Sequence, residues 1–90
     1  MTQFRKAILN HYLLRIRQAK YNGHDFISVK VEDMGLLLYR VDEQDSCRKE
    51  IFRKFKQEVS QRSSQRISTM AAVVDELEII LLDVERSWGK

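Results

Sequence analysis

The sequence predicts a mainly helical α+β protein, an α-β-β-α-α fold in which one β-hairpin packs against three helices. Three observations lead to this class: an apolar stripe at helical spacing near the N-terminus, an alternation of period two between residues 26 and 41, and a heptad-like pattern in the last third of the chain. Proline is absent, so glycines and polar runs mark the boundaries. The 90 residues are expected to form a single domain, 1–90, with a thin core.

Residues 2–21 are predicted to form the first helix. Its apolar residues return every three or four positions and fall on one face, and most of its charged and polar residues take the other. Thr2 is a suitable N-cap because its hydroxyl accepts a hydrogen bond from a backbone N–H of the first turn. The pair Asn22-Gly23 tolerates left-handed backbone angles and is expected to end the helix.

Residues 26–41 are predicted to form the hairpin. Apolar and polar residues alternate on both sides of Asp33-Met34-Gly35, which suits a three-residue loop with Gly35 in the left-handed conformation. In that register the apolar side chains of both strands share one face of the hairpin. The competing interpretation continues residues 34–41 into the next helix, and Gly35 together with the β-branched residues opposes it.

Two further helices are predicted, at 43–60 and 64–88. Asp42 is placed to cap the first of them, and Ser63 or Ser64 the second. The last helix is long and heptad-like. When its heptad frame is carried back into 43–60, charged residues fall on the seam, so a single continuous rod is disfavoured.

The seam of the last helix is the first candidate binding surface. This helix is apolar nearly all round at 79–82, and a thin core has limited material to cover it. The sequence therefore predicts a protein–protein interaction module, a regulator, adaptor or inhibitor that acts through its C-terminal helix as a homodimer. The alternative is that the other elements cover the seam completely. The expected interface consists of Met70, Val74, Leu77, Glu78, Leu81, Val84, Glu85 and Trp88.

A basic face on helix 43–60 is the second candidate surface. Residues 1–66 hold 14 Lys or Arg against 8 Asp or Glu, whereas residues 67–90 hold 2 against 5. This asymmetry suits a polyanionic partner, or an attraction between the two parts of the chain. The alternative function is therefore nucleic-acid binding through the phosphate backbone, without base readout. The expected contacts are Lys49, Arg53, Lys56 and Arg62.

Catalysis, a cofactor and a metal site are not expected. His11, His24 and Cys47 are the soft candidate ligands, and they are scattered singly along the chain. Glycine-rich phosphate loops, nucleophile-elbow serines and paired metal-binding histidines are absent from the sequence. The predicted partner is another protein or a second copy, with nucleic acid as the alternative, and neither a membrane nor a small-molecule substrate is predicted. One cysteine and the lack of a membrane-length apolar run favour the cytoplasm.

Overall fold

The computed structural model describes residues 3–88, apart from the side chain of Asp45. Two strands form an antiparallel sheet against which the helices pack. The mainly helical α+β class predicted from the sequence is confirmed. The elements in chain order are α1 (Gln3–Tyr21), β1 (Phe26–Lys30), α2 (Val31–Leu38), a 3₁₀ turn (Glu43–Asp45), α3 (Lys49–Ser64), β2 (Thr69–Val73) and α4 (Val74–Trp88).

α1 follows the predicted apolar stripe, and its buried side chains recur at helical spacing. The predicted C-terminal signal is also confirmed, because Gly23 takes a positive φ of 72°. The N–H of His24 donates to the carbonyl of Ala19 at 2.8 Å, and that of Gly23 to Lys20 at 3.2 Å, a Schellman ending. Thr2, the predicted N-cap, lies outside the described residues.

The segment 31–38 is helical, so the hairpin predicted within 26–41 is wrong. The buried residues of this segment are Val31, Met34, Leu37 and Leu38, and their spacing is that of one face of a helix. The residues that flank the segment alternate between apolar and polar as in a strand, so the sequence pattern fits both structures. Gly35 lies inside α2, and the predicted left-handed turn is not formed there. Local pattern was ambiguous in this segment, and packing against α3 and α1 decided it.

The partner of β1 is β2, a segment that the sequence analysis placed inside the helix 64–88. Val29 lies opposite Met70, and Ile27 opposite Ala72, so the inner side of the sheet is apolar. Pairing satisfies the backbone N–H and C=O groups of both strands, and this gain overrides the helix propensity of the alanines in β2. The predicted order α-β-β-α-α is therefore replaced by α-β-α-α-β-α.

The helix predicted over 43–60 begins and ends later, because α3 starts after the 3₁₀ turn. Asp42 is a cap, but of that turn: its Oδ1 accepts from the N–H of Gln44 at 3.0 Å. Ser63 and Ser64, expected to begin the last helix, are instead the last residues of α3. The chain then reverses through a residue with a positive φ before it enters β2.

Tyr12 connects α1 to the elements beside it. Its hydroxyl donates to Oδ2 of Asp33 in α2 at 2.7 Å and accepts from the N–H of Lys30 at 3.2 Å. The ring is almost completely buried. Burial, and after it the hydrogen bond to Asp33, raise the pKa of Tyr12 above its usual value of 10.0.

We expect Tyr12→Phe to lower the free energy of unfolding by about 1–2 kcal/mol, since Lys30 loses its acceptor and Asp33 its donor. The raised pKa disfavours tyrosinate in the folded state. The contribution of Tyr12 is therefore complete below its unfolded pKa and is lost as pH rises through the folded pKa. Absorbance titration of the three tyrosines checks this. The late-ionising component should vanish in Tyr12→Phe and persist in the control Tyr21→Phe, and its absence from the wild type would contradict the assignment.

Candidate interaction surfaces

Most of the predicted interface of the last helix lies in the protein's own core. The predicted interface contains five apolar residues besides Trp88, and each of their side chains is at most 4% exposed. Side chains that the chain itself covers are closed to a partner, so this part of the predicted surface is corrected to core. The buried residues concerned are Met70, Val74, Leu77, Leu81 and Val84.

The other three predicted interface residues lie at the edge of the core. Glu85 is exposed, and Glu78 is half-buried and forms an ion pair with Lys20 of α1. Trp88 is half-buried, with the guanidinium carbon of Arg5 at 4.7 Å from its ring centroid. Lys20, near the end of α1, thus contacts the first half of α4, and Arg5, near the start of α1, contacts the end of α4. The two helices therefore lie antiparallel.

The outer sides of α1 and α4, turned away from the core, form what we call the α1–α4 face. Of the large apolar side chains exposed among residues 3–88, four belong to these two helices, and no other element carries more than one. Exposed apolar groups gathered on one face are typical of an interaction site. The four side chains are Phe4, Leu14, Tyr21 and Leu82, which are 65%, 50%, 92% and 46% exposed. Leu14, Tyr21 and Leu82 belong to the α1–α4 face, whereas Phe4 lies about 80° round α1 from Leu14, beside the buried stripe.

Opposite charges flank the apolar side chains on the two helices. α1 contains no acidic residue at all, whereas α4 contains one basic residue against five acidic ones. The charge asymmetry seen in the sequence is thus placed on two neighbouring helices of one face. The basic residues of α1 are Arg5, Lys6, Arg15, Arg17 and Lys20, and the acidic residues of α4 are Asp75, Glu76, Glu78, Asp83 and Glu85.

A groove of about 480 Å³ borders this face, between α4 and the segment that precedes α3. Asp83 is buried beneath it, where Oδ2 accepts from Ser46 Oγ at 2.6 Å and Oδ1 from the N–H of Cys47 at 3.4 Å. Arg86 pairs with Asp83 and donates to Cys47 Sγ at 2.9 Å. The hydrogen bonds to Cys47 and Asp83 raise the pKa of Arg86, which stays charged.

The basic face predicted on helix 43–60 is present on α3, but most of its charges have partners. Arg53 donates to both carboxylate oxygens of Glu43 at 3.0 and 3.1 Å, which raises the pKa of Arg53 and lowers that of Glu43. Arg62 pairs with Glu58, and Lys49 donates to Gln44. The structure therefore does not bring the four predicted contacts together as one unpaired cationic surface.

No protein-family model, no curated protein and no solved structure matches this chain at a significant level. Within residues 3–88, no group of three or more His, Cys, Asp or Glu side chains is arranged to hold a metal ion. None of the described helices has the length and apolar character that crossing a bilayer requires. The two candidate surfaces are therefore described by their own geometry.

The sequence analysis missed the apolar residues on the outer side of α1. Leu14 and Tyr21 stand among charged and polar residues, opposite the stripe that identified the helix, and Phe4 lies at the edge of that stripe, one turn before Ile8. A search for apolar residues on the polar side of each predicted helix would have found them. Leu82 was visible in the same way, since it lies outside the heptad seam.

Proposed function

We propose that this protein is a protein–protein interaction module of the regulator, adaptor or inhibitor type, which acts by binding and pairs with a second copy of itself through the α1–α4 face. One observation carries the proposal: this face exposes three large apolar side chains, Leu14, Tyr21 and Leu82, on two neighbouring helices whose charged residues are all basic on α1 and mainly acidic on α4. The C-terminal helix keeps its predicted role, but the contact moves from its buried seam to its outer side.

Self-association is favoured because the face is complementary to itself. In a two-fold symmetric dimer one patch serves both copies, so a contact between α1 of one copy and α4 of the other occurs twice. Such a packing sets basic α1 against acidic α4 in both places and covers the exposed apolar groups of each helix. Charge complementarity of this kind steers the approach of the two copies and fixes their orientation.

The apolar groups supply most of the expected affinity. Removing a large apolar side chain from water contributes about 1.5–3 kcal/mol, and symmetry counts each such residue twice. The flanking ion pairs are exposed, and exposed pairs contribute roughly 0–1 kcal/mol each. A small domain with a thin core also gains stability from such coverage.

The double variant Leu14→Glu/Leu82→Glu is expected to be monomeric. Both side chains are about half exposed, so the fold tolerates glutamate, whereas the dimer would bury four carboxylates against apolar groups. We expect the dimer dissociation constant to rise at least ~100-fold. Sedimentation velocity across a wide range of concentrations measures the change.

Phe26→Glu is the matched control, because Phe26 is a similarly exposed apolar residue that lies on β1, away from the α1–α4 face. This variant should keep the wild-type association. A wild type that stays monomeric at the highest accessible concentration would refute the homodimer. A dimer that survives the double substitution but not Phe26→Glu would move the contact to the sheet.

A further inference from the structure

The C-terminal end of α2 and the exposed side of α3 enclose a groove of about 540 Å³. Its polar wall consists of two cationic side chains, three serine hydroxyls and a tyrosine, and no acidic residue lines it. None of its lining residues belongs to α1 or α4, so the groove is distinct from the α1–α4 face proposed above as the dimer contact. The polar lining residues are Tyr39, Arg40, Lys56, Ser60, Ser63 and Ser64.

These side chains offer the chemistry that a nucleotide chain requires. Lysine, arginine and hydroxyl groups are ordinary ligands of phosphate oxygens, and an exposed aromatic ring is a stacking platform for a base. Tyr39 is 60% exposed, and the guanidinium carbon of Arg40 lies 5.3 Å from its ring centroid. Unlike Arg53 and Arg62, Lys56 lies beyond ion-pair distance of every acidic side chain among the described residues, although it contributes, after Arg53, to the lowered pKa of Glu43.

The backbone at this groove is strained and firmly held. Arg40 has a φ of 62°, a left-handed conformation that a non-glycine residue adopts at a cost of about one to two kcal/mol. The carbonyl of Tyr39 accepts from Arg5 at 2.9 Å, and the N–H of Val41 donates to the carbonyl of Leu38 at 3.1 Å. Strain that surrounding contacts maintain is characteristic of functional positions.

A second groove, of about 530 Å³, continues past the end of α3 and shares Ser63 with the first. Lys30, Arg66 and Thr69 line it, together with the single acidic residue Glu32. Arg66 also has a positive φ, of 59°. The two grooves therefore adjoin at Ser63, and together they form what we call the track, which is rich in hydroxyl groups and whose lining carries four cationic side chains against one acidic one.

We propose that this track binds single-stranded nucleic acid, with phosphates held by Arg40, Lys56 and the serine hydroxyls of α3, and with an unpaired base stacked on Tyr39. A single strand fits better than a duplex, because a base must leave its stack to reach a tyrosine beside a groove. The proposal revises the basic face expected from the sequence. Lys56 is kept, and groove residues replace Lys49, Arg53 and Arg62, each of which has a partner of its own.

Fluorescence anisotropy with labelled 12-nucleotide oligouridine and oligothymidine tests the proposal at low salt. We expect both strands to bind, since stacking and phosphate contacts are shared by RNA and DNA, and a preference between them reports on the 2′-hydroxyl. Tyr39→Ala should weaken binding by roughly 5- to 100-fold, and Tyr39→Phe, which keeps the ring, should retain it. Equally tight binding of inorganic polyphosphate would overturn the role of Tyr39.

The cationic contacts have their own matched controls. Lys56→Ala should weaken binding and reduce the slope of log affinity against log salt by about 0.7. Lys54→Ala removes the same charge two residues away, about 200° round the helix, and should leave binding unchanged. Arg40→Asn removes the guanidinium and keeps a residue that tolerates positive φ, so it should lose affinity without loss of fold.

Three results would overturn the proposal. They are no binding of either strand at low salt, tighter binding of a 12-base-pair duplex than of both strands, and a Tyr39→Ala variant that binds like the wild type. Far-ultraviolet circular dichroism of each variant confirms that a loss of binding is not a loss of fold. Because Tyr39 and Lys56 are exposed, their substitution should leave the spectrum unchanged.

Discussion

Replacing Leu77 by alanine is expected to lower the free energy of unfolding by roughly 3–5 kcal/mol. Leu77 is completely buried, so truncation removes its transfer free energy and leaves a cavity that a closely packed core fills only in part. The total stability of a natural domain is about 5–15 kcal/mol, and the loss is a large share of it. Equilibrium unfolding in urea, followed by circular dichroism, measures the change.

Leu82→Ala is the matched comparison on the same helix. Leu82 is about half exposed, so its truncation should cost less than about 1 kcal/mol when the chain is dilute and monomeric. It should instead weaken self-association, which Leu77→Ala affects only through folding. The core assignment of the predicted seam would be contradicted if Leu77→Ala kept its unfolding free energy and lost only the dimer.

The Leu77→Ala and Leu82→Ala variants distinguish the buried side of α4, which the heptad pattern predicts, from its exposed side, which the pattern does not address. The pattern correctly grouped Val74, Leu77, Leu81 and Val84 on one side of a helix. Periodicity reports that a side is covered, but it does not report whether the cover comes from the same chain or from another. Here α1 and the other elements supply the cover, and the surface left for a partner is the outer side.

The hairpin predicted within 26–41 shows a second reason why a local sequence pattern can mispredict structure. Val31, Met34, Leu37 and Leu38 satisfy the spacing of a helix, although the flanking residues alternate as in a strand. Besides the packing of α2 against α3 and α1, a long-range contact favours the helix, because β1 pairs with β2, about forty residues later, and not with the segment that follows it. A single sequence contains little information about such pairing.

The basic face of α3 was visible in the sequence, but the groove that we propose to bind nucleic acid was not. Lys49, Arg53 and Lys56 recur on one side of α3, yet the pairing of Arg53 with Glu43 depends on how the 3₁₀ turn folds back on the helix. The approach of Tyr39 and Arg40 to Lys56 depends on the packing of α2 against α3. The number of charges along the chain is typical of a protein with a polyanionic partner. Tertiary packing then determines which lysine and arginine side chains are not already paired with an acidic residue.

Asp83→Ala is expected to lower the free energy of unfolding by roughly 2–4 kcal/mol, because hydrogen bonds to a buried carboxylate are among the stronger ones. Its loss leaves the buried hydroxyl of Ser46 without its acceptor, and removes the acceptor of the partly buried N–H of Cys47. Arg86 is exposed and keeps its hydration, so no isolated charge is left buried. Urea unfolding of the monomer measures the cost.

Asp83→Asn is the nearest control, because its amide oxygen can still accept from Ser46 while the charge opposite Arg86 is lost. We expect this variant to lower the free energy of unfolding by about half as much as Asp83→Ala. Ser46→Ala alone should cost about 1 kcal/mol. If the carboxylate holds the 46–48 segment through Ser46, the double variant Ser46→Ala/Asp83→Ala should cost clearly less than the two single costs added together. Additive costs would instead mean that Asp83 acts through Arg86 and the N–H of Cys47, and not through Ser46.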